Sequence, residues 1–233
     1  KNRFFWFTNF EHNNQDGVFA VANNHPIFSK LDIVYPSTLN FDLVNVRFDG
    51  NLNNTHSGFL RLSLDKNNNT APPGGGVYMP SNWHVSRTVA AQVQAGLTTV
   101  LTPRLVNDLR FAHGYLDNHL DPVKAGQCHA QPACVGAGSP QIHISDAPQF
   151  RIGLQSTVPK TILQRTFQLV SNTAWHRGAH SLRFGGEWEH LRLNSVHKFY
   201  DQPQIVLWGP TELQRSAQLT PLFDALPASL KDR

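Results

Sequence analysis

A chain of 233 residues is long enough to bury a core, yet charged residues make up only 15% of it and the mean hydropathy of −0.34 is too polar for a bundle of membrane helices. The net charge of +4 is spread along the chain rather than gathered into a stripe that could track phosphates, so nucleic acid is not an expected partner. There is no run of eighteen apolar residues and no basic start followed by an apolar stretch, but a membrane β-barrel stays permitted because its strands hide apolar residues by alternation.

The chain opens almost directly onto Phe4-Phe5-Trp6-Phe7, a run that reads as mid-structure and predicts a sequence starting downstream of the protein's N-terminus. A first hairpin follows around Asn51 to His56. Val44, Val46 and Phe48 precede the turn, and Leu60, Leu62 and Leu64 follow it. The opposite face carries Asn45, Arg47, Asp49, Arg61, Ser63 and Asp65. From Val89 to Leu101 the odd positions are mostly apolar, whereas Gln92, Gln94, Gly96 and Thr98 lie between them. After Thr102-Pro103-Arg104 a second long run sets Leu105, Leu109, Phe111 and Tyr115 against Asp108, Arg110, Ala112 and Gly114. A third hairpin turns around His176-Arg177-Gly178-Ala179, flanked by Phe167, Leu169 and Trp175 on one side and Leu182, Phe184 and Trp188 on the other. Its other face holds Gln168, Asn172, Arg183, Glu187 and Glu189.

Alternation with period two predicts an all-β chain of seven antiparallel strands in up-and-down order, while helical periodicity is hard to find before the last twenty or so residues. Long polar connections rich in Asn, Gly, Pro and His are expected over roughly residues 12–40, 66–84, 120–161 and 196–233. Short turns thus alternate with long loops, as in outer-membrane barrels with short periplasmic turns and long extracellular loops. Runs of about 12 to 15 residues exceed the usual globular strand and suit a tilted membrane span. Trp6, Tyr115, Trp175 and Trp188 sit near strand ends or on the apolar face, where an aromatic girdle could use them. An odd strand count would leave an open edge in lipid, so the chain is expected to be a barrel segment rather than a whole barrel.

Three stretches resemble the Oar-like TonB-dependent receptors. They are Lys1 to Glu11 with its Phe run and Asn9-Phe10-Glu11, Leu97 to Phe111 with its Thr-Pro turn and Asn107-Asp108-Leu109-Arg110, and Asn172 to Trp188 with His180-Ser181-Leu182-Arg183-Phe184-Gly185. Together they cover the strand-bearing part of residues 1 to about 195. The resemblance implies a barrel of roughly 22 strands filled by a plug, and a TonB complex that energises it. Plug, TonB box and terminal aromatic strand are all expected outside this chain. The implied function is import of a scarce bulky ligand, such as an oligosaccharide, peptide or metal chelate, across the outer membrane of a Gram-negative bacterium. The partners would be outer-membrane lipid, the plug, TonB and an unidentified ligand. Two other readings stand beside it: an Oar-like adhesion or assembly protein without transport, and a secreted β-rich carbohydrate-active or carbohydrate-binding protein.

No enzyme chemistry is expected. His190 follows Glu187-Trp188-Glu189 without the His-Glu-x-x-His spacing, and on a strand Glu187 and His190 point to opposite faces. His176 and His180 flank a turn, Gly74-Gly75-Gly76 lacks a following Lys-Ser/Thr, and no Gly-x-Ser-x-Gly occurs, so neither metal nor cofactor is implied. The candidate site is a set of lumen-facing charges: Arg47, Asp49, Arg61, Asp65, Asp108, Arg110, Arg183, Glu187 and Glu189. They are expected to solvate a lumen wall and pair across strands, or else to hold a plug or line a substrate path. Cys128 and Cys134, six positions apart, suit a disulfide that clips a loop in an oxidising compartment better than a zinc site with His129. The tail from Thr211 to Leu230 shows apolar spacing broken by Pro221 and Pro227, which predicts short helices in an extracellular loop.

Overall fold

The structure, a computed structural model, describes residues 3–22, 28–32, 34–71, 78–128, 134–144 and 149–207. Seven long strands form one antiparallel sheet: β1 (Phe4–Ala20), β2 (Val34–Asn51), β3 (His56–Ala71), β4 (His84–Thr102), β5 (Leu105–Pro122), β8 (Lys160–Arg177) and β9 (His180–His197). Their spatial order follows the chain, β1-β2-β3-β4-β5-β8-β9. A small second sheet in the loops has the order β10-β6-β7, from β6 (Gln141–Ile144), β7 (Phe150–Ile152) and β10 (Gln204–Leu207).

Register converts the alternation into two faces. One lateral row runs Trp6, Phe48, Leu60, Ala95, Phe111, Leu169, Trp188, and the row beside it on the other face runs Phe7, Arg47, Arg61, Gln94, Ala112, Gln168, Glu189. A slip of one residue in any strand would exchange these rows, so the apolar pattern fixes the pairing. Leu109, Phe111 and Phe184 stay open to the surroundings rather than packing against a second sheet. Leu97 shares the row of Leu109.

Short turns close one rim. Asn53 Oδ1 accepts the backbone N–H groups of Thr55 and His56, each at 2.8 Å, and so ties off the β2–β3 turn with a side chain in place of a strand partner. Pro103-Arg104 joins β4 to β5, with Leu101 bulged out where the register shifts between Val100 and Thr102. Gly178-Ala179 joins β8 to β9.

The strands are longer than their apolar runs. They span 16 to 19 residues, so β1 continues to Ala20 and β2 starts at Val34, where polar connection had been expected over residues 12–40. Likewise β3 runs on to Ala71, β5 to Pro122 and β9 to His197. The extensions are rich in Asn, Gln and Asp, which disfavour strands locally, but each lies in an unbroken ladder, as where Asn67, Asn68 and Asn69 face Thr88, Arg87 and Ser86. Cross-strand pairing already begun in the apolar part overrides local propensity. The tail that carries the expected short helices, residues 208–233, lies outside the described residues.

Candidate functional site

All nine sequence-predicted charges lie on the face opposite the apolar rows. Arg47 and Asp49 are on β2, Arg61 and Asp65 on β3, Asp108 and Arg110 on β5, and Arg183, Glu187 and Glu189 on β9. Their pairing differs from the expected cross-strand scheme. Arg47 binds both oxygens of Asp49 at 2.8 Å, and Arg110 reaches Asp108 at 2.8 Å, so each ion pair runs along one strand. The register explains this: Arg47 faces Phe7 and Arg61 across the ladders, and Arg110 faces Gly96 and Val170, so no acid stands directly opposite either. Residues two apart on a strand point the same way, which puts the carboxylate within reach of the long guanidinium arm.

Arg47 also covers the Phe59 ring, its guanidinium carbon 4.3 Å from the centroid. That ring lies over Gly96, where an added Cβ would strike it, so the glycine makes room for the aromatic plate. Asn45 receives hydrogen bonds from Ser63 at 2.7 Å and Arg61 at 3.4 Å, and Gln168 donates to Glu187. Among the described residues Arg61, Asp65, Arg183, Glu187 and Glu189 make no ion pair. Nearby, the wall dips into a depression of about 400 Å³ whose floor is Ala90, Ala112 and Gly114 and whose sides carry Gln92, Gln164 and Gln168. The sequence places Gln92 and Gln168 on this polar face, but without a charge or a motif neither stands out as a site residue, and Gln164 is not singled out at all.

The buried core is not in the sheet. Val21, Tyr35, Met79, Trp83, Val123, Ile144, Phe150 and Ile152 come from three loops and strand ends at the rim opposite the short turns, where they form one cluster. Cys128 and Cys134 belong to it and are joined by a disulfide, with Cα atoms 5.7 Å apart. Backbone and side-chain bonds tie the loops together: Met79 N–H donates to Arg151 O at 3.0 Å, Asn82 Nδ2 to Gly153 O at 2.8 Å, and Ser156 N–H to the Gln141 side chain at 2.6 Å. Gly153 has φ +84°, and a Cβ there would collide with the Pro140 carbonyl, so this crossing point requires glycine. Arg151 donates to the Tyr78 hydroxyl at 2.9 Å and lies over its ring. Burial, and then Arg151, lowers the pKa of His143 below its ordinary 6.5, so the ring stays neutral near pH 7. The result is a folded cap on the sheet. Only its disulfide is marked in the sequence, because the apolar residues around it are scattered over loops with no period.

A long antiparallel meander with one greasy and one charged face, short turns at one rim and a packed loop layer at the other is the layout of an outer-membrane barrel wall. The family model described as "Outer membrane beta barrel domain" matches residues 13–226. The chain belongs to that family. Its fold is also similar to the outer membrane transporter YddB from Escherichia coli, a crystal structure with which it shares 8% identity at a TM-score of 0.55. The likeness covers 84% of this chain and 24% of YddB, so the chain spans about a quarter of that transporter's length. No curated protein matches the chain. The barrel domain is thus a component of the Gram-negative outer membrane.

Proposed function

We propose that the barrel domain is part of the wall of an outer-membrane receptor and transporter of the TonB-dependent type, importing a bulky, scarce ligand such as an oligosaccharide, a peptide or a metal chelate. One observation carries the reading: an amide- and charge-lined inner wall, with several charges left without ion partners, lies below a cap folded from the long loops. On this reading the unpaired charges and amides meet a plug or passing ligand, and the chain itself carries out no catalytic step.

The test compares cells that carry or lack the full protein for uptake of fluorescent maltodextrins, labelled oligopeptides and ferric chelates, each with and without TonB. Uptake of one class that needs both the protein and TonB is expected. Uptake that needs the protein but not TonB would overturn the TonB-dependent reading. Loss of cell attachment with every uptake rate unchanged would replace transport by adhesion.

A further inference from the structure

On the lipid face, β8 and β9 place Arg165 directly opposite Arg192. Both side chains are exposed, and neither makes an ion pair among the described residues. Two like charges opposite each other on adjacent strands destabilise a sheet, because their Cβ atoms lie only about 5 Å apart. The nearest acid of β5 on this face, Asp117, is bound instead by His119 at 2.8 Å and by the Tyr115 hydroxyl at 3.3 Å. On β8 and β9 themselves the lipid-facing neighbours are Leu163, Phe167, His190 and Asn194, none of them acidic.

Depth identifies the surroundings of this pair. From Trp175 to Arg165 on β8, and from Leu182 to Arg192 on β9, the distance is ten residues, or about 26 Å of height at ~3.4 Å per residue and a tilt of roughly 40°. An apolar band is about 25 Å tall, so both guanidiniums sit where it ends, on the side of the long loops. That side faces the outer leaflet. Tyr115, the cross-strand neighbour of Arg165, has its ring centroid 6.0 Å from the guanidinium carbon and marks the same interfacial layer.

We propose that Arg165 and Arg192 form a binding site for the phosphorylated headgroup of an outer-leaflet glycolipid. A phosphate between the two forks offers each a bidentate partner, turns a repulsive pair into a clamp, and lies at the depth where lipid phosphates occur. Charge complementarity selects the occupant, since the pair faces lipid and the anion that layer supplies is a headgroup phosphate.

The full protein in detergent is heated while lipid A is titrated in, with dephosphorylated lipid A, phosphatidylglycerol and inorganic phosphate in parallel. A saturable rise in unfolding temperature is expected with lipid A. It should be absent in the Arg165→Gln/Arg192→Gln double variant, only partly restored in Arg165→Lys/Arg192→Lys, which keeps the charge but not the bidentate fork, and lost when the lipid lacks phosphate. Equal response of the double Gln variant and the parent overturns the site. So does an equal response to inorganic phosphate or phosphatidylglycerol, which would reduce it to nonspecific anion binding. Native mass spectrometry of protein taken from outer membranes supplies a second readout: glycolipid adducts should be depleted at least tenfold in the Gln variant, and undiminished adducts count against the proposal.

Discussion

Leu169 and Gln168 are neighbours in the chain and opposites in environment. Leu169 lies between Phe111 and Trp188 on the lipid face, about 10 Å deeper than Arg165 at ~3.4 Å per residue and a tilt of roughly 40°. Gln168 projects from the charged face and donates to Glu187. An arginine at the first position would hold its charge near the middle of the hydrocarbon, where the cost is roughly 2–4 kcal/mol. At the second it would meet water and the carboxylates of Glu187 and Glu189. Leu169→Arg is therefore expected to lower the unfolding free energy in lipid vesicles by that amount, and Gln168→Arg to change it by less than about 0.5 kcal/mol, as surface substitutions usually do. Denaturant unfolding followed by tryptophan fluorescence checks both. If the two variants were equally destabilised, the assignment of faces would fail.

The cap is an element in its own right, because its core residues pack on one another and not on the middle of the sheet. Its disulfide joins two buried cysteines six residues apart, and closing so short a loop stabilises it by about 2 kcal/mol on the chain-entropy model. Cys128→Ser/Cys134→Ser is expected to raise the population of opened cap by roughly 30-fold, seen as faster proteolysis within the loops, while the seven long strands keep their amide protection. Equal loss of protection in β4 and β5 would show that cap and sheet unfold as one unit. The disulfide bridge was readable from two cysteines in a loop-like stretch. The surroundings that bury it were not, because Tyr35, Trp83, Val123 and Phe150 are brought together only once the strands below have set the spacing of the loops. The short strands β6, β7 and β10 escaped for a similar reason: three or four residues give too few alternations to stand out.

At the scale of the whole molecule, the strand order was legible because each apolar row had to face one way. Val44, Val46 and Phe48 could meet Leu64, Leu62 and Leu60 in only one register around Asn53. The strand ends were not legible, since Asn-rich extensions carry no apolar alternation. Parity sets the charges on the face opposite the apolar rows, where the strands hold them, but it does not give their partners, because a pair along one strand and a pair across two strands look alike in a linear sequence. What remains is the sheet's two edges. Among the described residues β1 and β9 each pair on one side only. Every second residue of an edge strand turns its N–H and C=O away from the ladder, and in hydrocarbon each group left without a partner costs several kcal/mol. Across two strands of 17 and 18 residues that sum exceeds the roughly 5–15 kcal/mol by which a domain is usually stable. Further strands must therefore satisfy both edges in the membrane. Residues 1–233 refolded alone into lipid vesicles are expected to give aggregated or surface-bound sheet, with the β1 and β9 amides exchanging far faster than those of β4. The full protein should insert with all seven strands protected. A monomeric, protease-resistant, membrane-inserted form of residues 1–233 alone would show that the edges find their partners within this sheet.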